Sequence, residues 1–373
     1  MNPIEIRQTL HAHPELGFEE QWTSQFIANQ LKALGLEVYE KIARTGVIGI
    51  LQGQDHTHTI GYRADMDALP IAEDSALPYG SCNGNMHACG HDVHMAIALG
   101  IAQKLAQSEI KPAHDIVFVF QPNEEGAPGE LPSGAELMCR EGILERFHIE
   151  KMLALHCDPT LQTGIMGVSR GAVWAASGRF NIEIEGKSAH AAYPERGCDA
   201  LWAASEMIGA MYAALKRRRS PAKEVVSVCK FHAGTAFNVI AENAQFEGIS
   251  RGPSRKHLEE IAQIIEATVN GLAHASGVKA QCHFYYGANA VINDDSLAQK
   301  ALSLWQKNAY EIDMSMASED FSHFSEKIPS LYAMLGIQGN GKGTEPLHSS
   351  HFSVDESAIP NGIERMSELL RIL

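Results

Sequence analysis

A chain of 373 residues, 45% hydrophobic and 20% charged, is long enough for two domains and too apolar to stay disordered, and its core needs no disulfide staples. Thirty basic against 45 acidic residues, a net charge of −15, argue against a general binder of nucleic-acid backbones, and no apolar run approaches the roughly 20 residues of a membrane span. Seven scattered cysteines, odd in number, and an N-terminal MNPIEIRQTL without the apolar core of a signal peptide point to a reducing cytoplasm.

In chain order, residues 20–34 place Trp22, Phe26, Ile27, Leu31 and Leu34 at helical spacing and stop at Gly35. Short apolar runs follow: VIGIL at 47–51, TIGYRADMD at 59–67, DIVFVFQP at 115–122 and MLALHC at 152–157, with AIALGIAQKLAQ at 96–107 reading as a helix between them. Strands alternating with helices predict a three-layer α/β domain around a mixed, mostly parallel sheet, whose functional groups gather beyond the strands' carboxyl ends. The texture changes near residue 176. RFNIEIEG (179–186), EVVSVCKFHAG (224–234), NAQFEGISR (243–251) and KAQCHFYYG (279–287) read as strands, and residues 200–215 and 257–277 as long helices. That is the strand-helix-strand-strand-helix-strand order of a ferredoxin-like α+β domain. The expected organisation is a catalytic domain over 1–176 and 291–373, interrupted by an inserted domain over 177–290.

Four features carry the chemistry. MHACGHDVH holds five metal-capable side chains in residues 87–94, namely His87, Cys89, His91, Asp92 and His94; Asp92 can cap the following helix or take the ring N–H of a ligand histidine. QPNEEG at 121–126 sets Glu124 and Glu125 after an apolar strand, where Pro122 and Gly126 favour a turn that turns both toward one site. One carboxylate can then bind metal while the other moves a proton. His156 ends the apolar run MLALHC, and LHSSHF supplies His348 and His351. Each feature alone has an ordinary structural explanation. Together they offer Cys, His, Glu, His and His with a spare carboxylate, more than the three or four ligands of a single catalytic zinc and suited to a two-metal centre.

These residues sit in motifs that resemble the peptidase M20 family of dinuclear metallohydrolases, within it the amidohydrolase branch of N-acyl-amino acid amidohydrolases, hippurate hydrolases and N-acetyldiaminopimelate deacetylases. The resemblance spans nearly the whole chain, through HAHPELGFEE (11–20), RADMDALPI (63–71), MHACGHDVHMA (86–96), FQPNEEG (120–126), GKSAHAAYPERGCDA (186–200), GTAFNVIAENAQFEGISR (234–251), SEDFSHF (318–324) and LHSSHFSVDE (347–356). It implies that Cys89, His91, Glu125, His156 and His348 hold two divalent metals, with Cys89 bridging. Zinc is the first candidate, and manganese, cobalt or nickel are possible. Glu124 would be the general base, Asp67 would orient a ligand, and Asp65 would not bind metal. The inserted domain would be a lid and the means of forming a homodimer, with His190 stabilising the oxyanion in its own or the partner subunit's active site, and Asn238 and Arg251 contacting substrate. Asn123 stands where many relatives have alanine, and Ala241 where many have proline.

The implied activity is hydrolysis of the amide of an N-acyl, first of all N-acetyl, amino acid by metal-activated water, with neither nucleic acid nor membrane as partner. A dipeptidase on the same scaffold, a deacetylase specific for N-acetyldiaminopimelate, a cysteine hydrolase pairing Cys89 with His91 or His94, and a non-catalytic metal or ligand binder are the other readings.

Overall fold

The computed structural model describes residues 2–56, 58–75, 77–126, 132–218 and 220–373. The chain divides into two units, one of Met1–Val173, Ile292–Asp313 and Asp320–Leu373, the other of Trp174–Val291 and Met314–Glu319.

The first unit is built on an eight-stranded sheet. From edge to edge its strands are Glu37–Ile42, Gly46–Leu51, Asp115–Gln121, Thr59–Asp65, Lys151–Gln162, Ser330–Gln338, Met166–Val168 and Ala309–Glu311. The four central strands run parallel. Every residue of Thr59–Asp65 is buried, as expected of a parallel strand covered on both faces. On one face Ile60, Tyr62 and Ala64 join an apolar core with residues of the helices Pro3–His11, His91–Ala106 and Ala358–Ile372. Arg63, alternating to the other face, lies over the Phe321 ring, 5.8 Å from its centroid. The helix Gln21–Ala33 stops before Gly35, which takes φ +81°.

Two elements differ from the sequence reading. The helix expected from Ala96 starts at His91, because its polar first turn is buried and so shows no amphipathic pattern. The strand expected to end at His156 runs on through Asp158 and Pro159 to Gln162. Its pairing with Ser330–Gln338 shifts register between Gly336 and Gln338, an irregularity of the kind that lets a strand accommodate proline. His156 is nevertheless level with a strand end: Asp65 pairs with Gln121, and Arg63 with Ala154. The pairing of Thr59–Asp65 with Lys151–Gln162 stops at Arg63 and Ala154, so Asp65 and His156, two residues further on, lie where these two parallel strands begin to open.

The second unit is a four-stranded antiparallel sheet ordered Lys279–Tyr286, Ala176–Glu185, Asn243–Gly252 and Val225–Ala233. The helices Ala200–Arg217 and Arg255–Ser276 complete the ferredoxin-like order. Alternating burial along Ala176–Glu185 puts Phe180, Ile182 and Ile184 in the core and leaves Arg179, Glu183 and Glu185 exposed.

Candidate metal centre

Cys89 and Gly90 form the turn into the helix His91–Ala106, with Gly90 at φ +93°, a conformation glycine adopts without a Cβ clash. A Cβ there would lie 2.9 Å from Cys157 Sγ, so the close approach needs glycine as well. The turn brings Cys89 Sγ to 3.4 Å from His156 Nε2. The donor atoms of Cys89, His91 and His156 lie within 4.8 Å of one another, as do those of Cys89, Glu125 and His348, and those of His91, Glu124 and Glu125. Cys89 therefore belongs to two three-residue groups at once.

The paired carboxylates reach this place through a turn made at Asn123, which takes φ +49°, whereas Gly126 is not left-handed. Glu124 Oε2 comes to 3.9 Å from His91 Nε2, and Glu125 Oε1 to 3.0 Å from His348 Nε2. The Glu125 amide donates to Asp67 Oδ2 at 2.9 Å. Main-chain oxygens orient both buried rings: His91 Nδ1 lies 2.8 Å from that of Asp67, and His156 Nδ1 2.8 Å from that of Cys157. A carbonyl oxygen only accepts, so each ring carries a proton on Nδ1 and presents Nε2.

The donors suit a divalent cation. His91 Nε2 and Asp67 Oδ1 are buried without a hydrogen-bond partner among the described residues, a costly arrangement unless a ligand satisfies them. Burial works against a charged His91, yet Asp65 and Asp67 carry it up to about 10, so the surrounding carboxylates favour positive charge here. Burial, reinforced by His94, drops His156 to about 3 and keeps its ring neutral. Burial and the Glu125 and Glu124 carboxylates push the Cys89 thiol well above its ordinary range. A cation reverses that effect, whereas a cysteine nucleophile needs a lowered pKa from its own surroundings.

Asp65, His94, Asp92 and His351 are engaged elsewhere, whereas buried His87 has no hydrogen-bond partner at either ring nitrogen among the described residues. Asp65 accepts from Arg63 Nη1 and from His94 Nδ1, each at 2.7 Å, and His94 Nε2 accepts from the Cys157 amide at 2.9 Å. Asp92 neither caps the helix nor holds a ligand ring; it bonds Arg7 Nε at 2.7 Å and His11 Nδ1 at 2.9 Å. His351 Nδ1 turns to the main-chain oxygen of Asp74, 2.5 Å away.

In the second unit His190 and Asn238 are neighbours. His190 forms a bridge with Val239, and the Ala191 amide donates to the Asn238 main-chain oxygen at 3.0 Å. His190 is exposed, and its Nδ1 accepts from the Ala192 amide at 3.1 Å, which puts the ring proton on Nε2. Arg251 is partly buried, its Nη1 donating to the Ser250 main-chain oxygen at 3.0 Å. Glu20, a fully buried carboxylate in HAHPELGFEE, bonds the turn at Asn123 and is not marked as functional by the sequence. Its partners lie far away in sequence, and exposed Glu19 beside it carries the same chemistry, so no local signal marks it.

The model of the family described as Peptidase family M20/M25/M40 matches residues 61–372. The N-acetyldiaminopimelate deacetylase of Anoxybacillus flavithermus is 35% identical, over 98% of this chain and 95% of that one. The enzyme of the same name from Bacillus subtilis is 34% identical over 98% and 96%. The crystal structure of Bacillus subtilis YXEP, described as a dinuclear metal binding peptidase from the M20 family, is similar with a TM-score of 0.86 and 31% identity, over 99% of this chain and 97% of that one.

Proposed function

The chain belongs to the peptidase family M20/M25/M40 and is a metal-dependent amide hydrolase, and from that premise we propose that it releases amino acids from N-acyl, first of all N-acetyl, amino acids at a two-metal site formed by Cys89, His91, Glu125, His156 and His348. The observation that carries the reading is the place of Cys89 in two donor groups, one with His91 and His156 and one with Glu125 and His348, which suits a thiolate shared by two ions. A cation pair held there supplies Lewis-acid polarisation of the amide carbonyl and acidifies water. Glu124 takes the proton of the attacking water on its carboxylate and returns it to the departing nitrogen. The family resemblance assigns His190 the oxygen that gains charge and Arg251 with Asn238 the substrate carboxylate, each from this chain or from a second copy.

A thiolate and three imidazoles favour zinc, while the Glu125 carboxylate leaves room for manganese, cobalt or nickel. The edge position of the strand Val225–Ala233 and the exposed Phe231 and Phe237 support a homodimer formed through the inserted domain. Free thiols at all seven cysteines support a cytoplasmic location. No helix among the described residues is long and apolar enough to cross a membrane. N-acetyldiaminopimelate is the first substrate to test, given the names of the relatives. The test compares kcat/KM for N-acetyl, longer N-acyl and dipeptide substrates of the same amino acid. Preference for an acyl substrate supports this reading, and preference for dipeptides moves the protein to the peptidase reading.

A further inference from the structure

The turn that carries Glu124 is fixed from outside the metal site. Asn123 is an L-residue in the left-handed region, one that asparagine reaches more readily than most residues but that still needs support from its surroundings. Its amide donates to Glu20 Oε1 at 2.9 Å, and Thr45 Oγ1 donates to Glu20 Oε2 at 2.5 Å. Behind the turn, the Asn123 main-chain oxygen accepts from the Gly134 amide at 3.0 Å. Glu20 is 0% exposed, and a buried carboxyl is costly unless its bonds are well made. The segment that supplies it also reaches the other side of the site: the Glu15 main-chain oxygen accepts from the Ala68 amide at 2.8 Å, next to Asp67. Gly17 lets the segment approach, since a Cβ there would lie 2.0 Å from Asn123 Oδ1.

We propose that Glu20 is a positioning residue for the reaction, holding the Asn123 amide so that Glu124 is aimed as the base while Asp67 separately holds the Glu125 amide for metal binding. The inference rests on the reading of Glu124 as base. Glu20→Ala removes the acceptor, whereas Glu20→Gln keeps an oxygen for the Asn123 amide and offers an amide group to the Thr45 hydroxyl.

The experiment measures kcat, KM, metal content and the visible spectrum of the cobalt-loaded protein for both variants and for Glu124→Gln. Glu20→Ala should lose about 100-fold in kcat, the scale of an ångström's misplacement of a catalytic group, with KM within about threefold, an unchanged cobalt spectrum and full metal content. Glu20→Gln should stay within about fivefold of the parent, a rescue that points to the Asn123 bond. If Glu20→Ala does not fold, Glu20→Asp takes its place, too short to span both partners and expected to lose kcat in the same way. Parental kcat in Glu20→Ala or Glu20→Asp, a Gln variant as impaired as Ala, or a loss fully explained by missing metal overturns the proposal. An active Glu124→Gln sinks the base assignment and this inference together; an inactive one beside a fully active Glu20→Ala sinks this inference alone.

Discussion

His91 Nδ1 lies 2.8 Å from the main-chain oxygen of Asp67, and this bond decides which nitrogen of the ring faces the carboxylates. The same residue uses its side chain to hold the Glu125 amide. Asp67 therefore orients a histidine through its backbone and a glutamate through its carboxylate, and both are proposed ligands.

Asp67→Ala should weaken metal binding by about 10–100-fold, the usual cost of losing a group that orients a ligand, while the backbone bond to His91 survives. Competition with a chromogenic chelator measures it. Parental affinity would show that Glu125 needs no such support.

Cys89→Ser tests the shared position. Because Cys89 belongs to both donor groups, its loss should lower the occupancy of both ions, whereas His348→Ala should affect one more than the other. Metal analysis after dialysis against a weak chelator separates the cases, and full occupancy in Cys89→Ser would contradict the assignment.

Glu124→Gln keeps the shape of the side chain and removes its basicity. We expect parental metal content with kcat lowered by about 100- to 10,000-fold, the range for general acid–base catalysis. Turnover close to the parent's would remove Glu124 from the mechanism.

The pairing of Glu73 with His11 predicts a pH dependence of stability. Burial pushes the Glu73 carboxyl up, but bonds from His11 Nε2 and the Ser81 amide bring it to about 2 from an ordinary 4.5. Since the folded value is the lower one, the stabilisation is complete above about 4.5 and disappears as the pH falls toward about 2. The difference in Tm between the metal-free parent and Glu73→Gln should therefore shrink across that interval. A constant difference from neutrality to pH 2 would show that the charge contributes nothing.

What the sequence discloses follows the range of each interaction. Cys89 and His91 are legible because their spacing is local, and the alternation along residues 179–186 shows directly which face of that strand is buried. Glu125 and His348 meet only through the fold, so their pairing was accessible through family resemblance and not through spacing. Asp158–Pro159 reads as the end of a strand because the neighbouring register irregularity that accommodates proline lies at Gly336–Gln338, far along the chain. Glu20 is invisible for the same reason, since nothing in HAHPELGFEE tells a buried carboxylate from the solvated one beside it, and the turn that Pro122 and Gly126 signal is made instead at Asn123.

The most direct test strips the protein with chelator and follows amine release from N-acetyl amino acids as zinc, manganese, cobalt or nickel is titrated back. Hydrolysis should be absent from the stripped protein and rise until two ions are bound per chain. Hydrolysis that survives complete metal removal, or saturates with a single ion bound, would contradict the two-metal assignment.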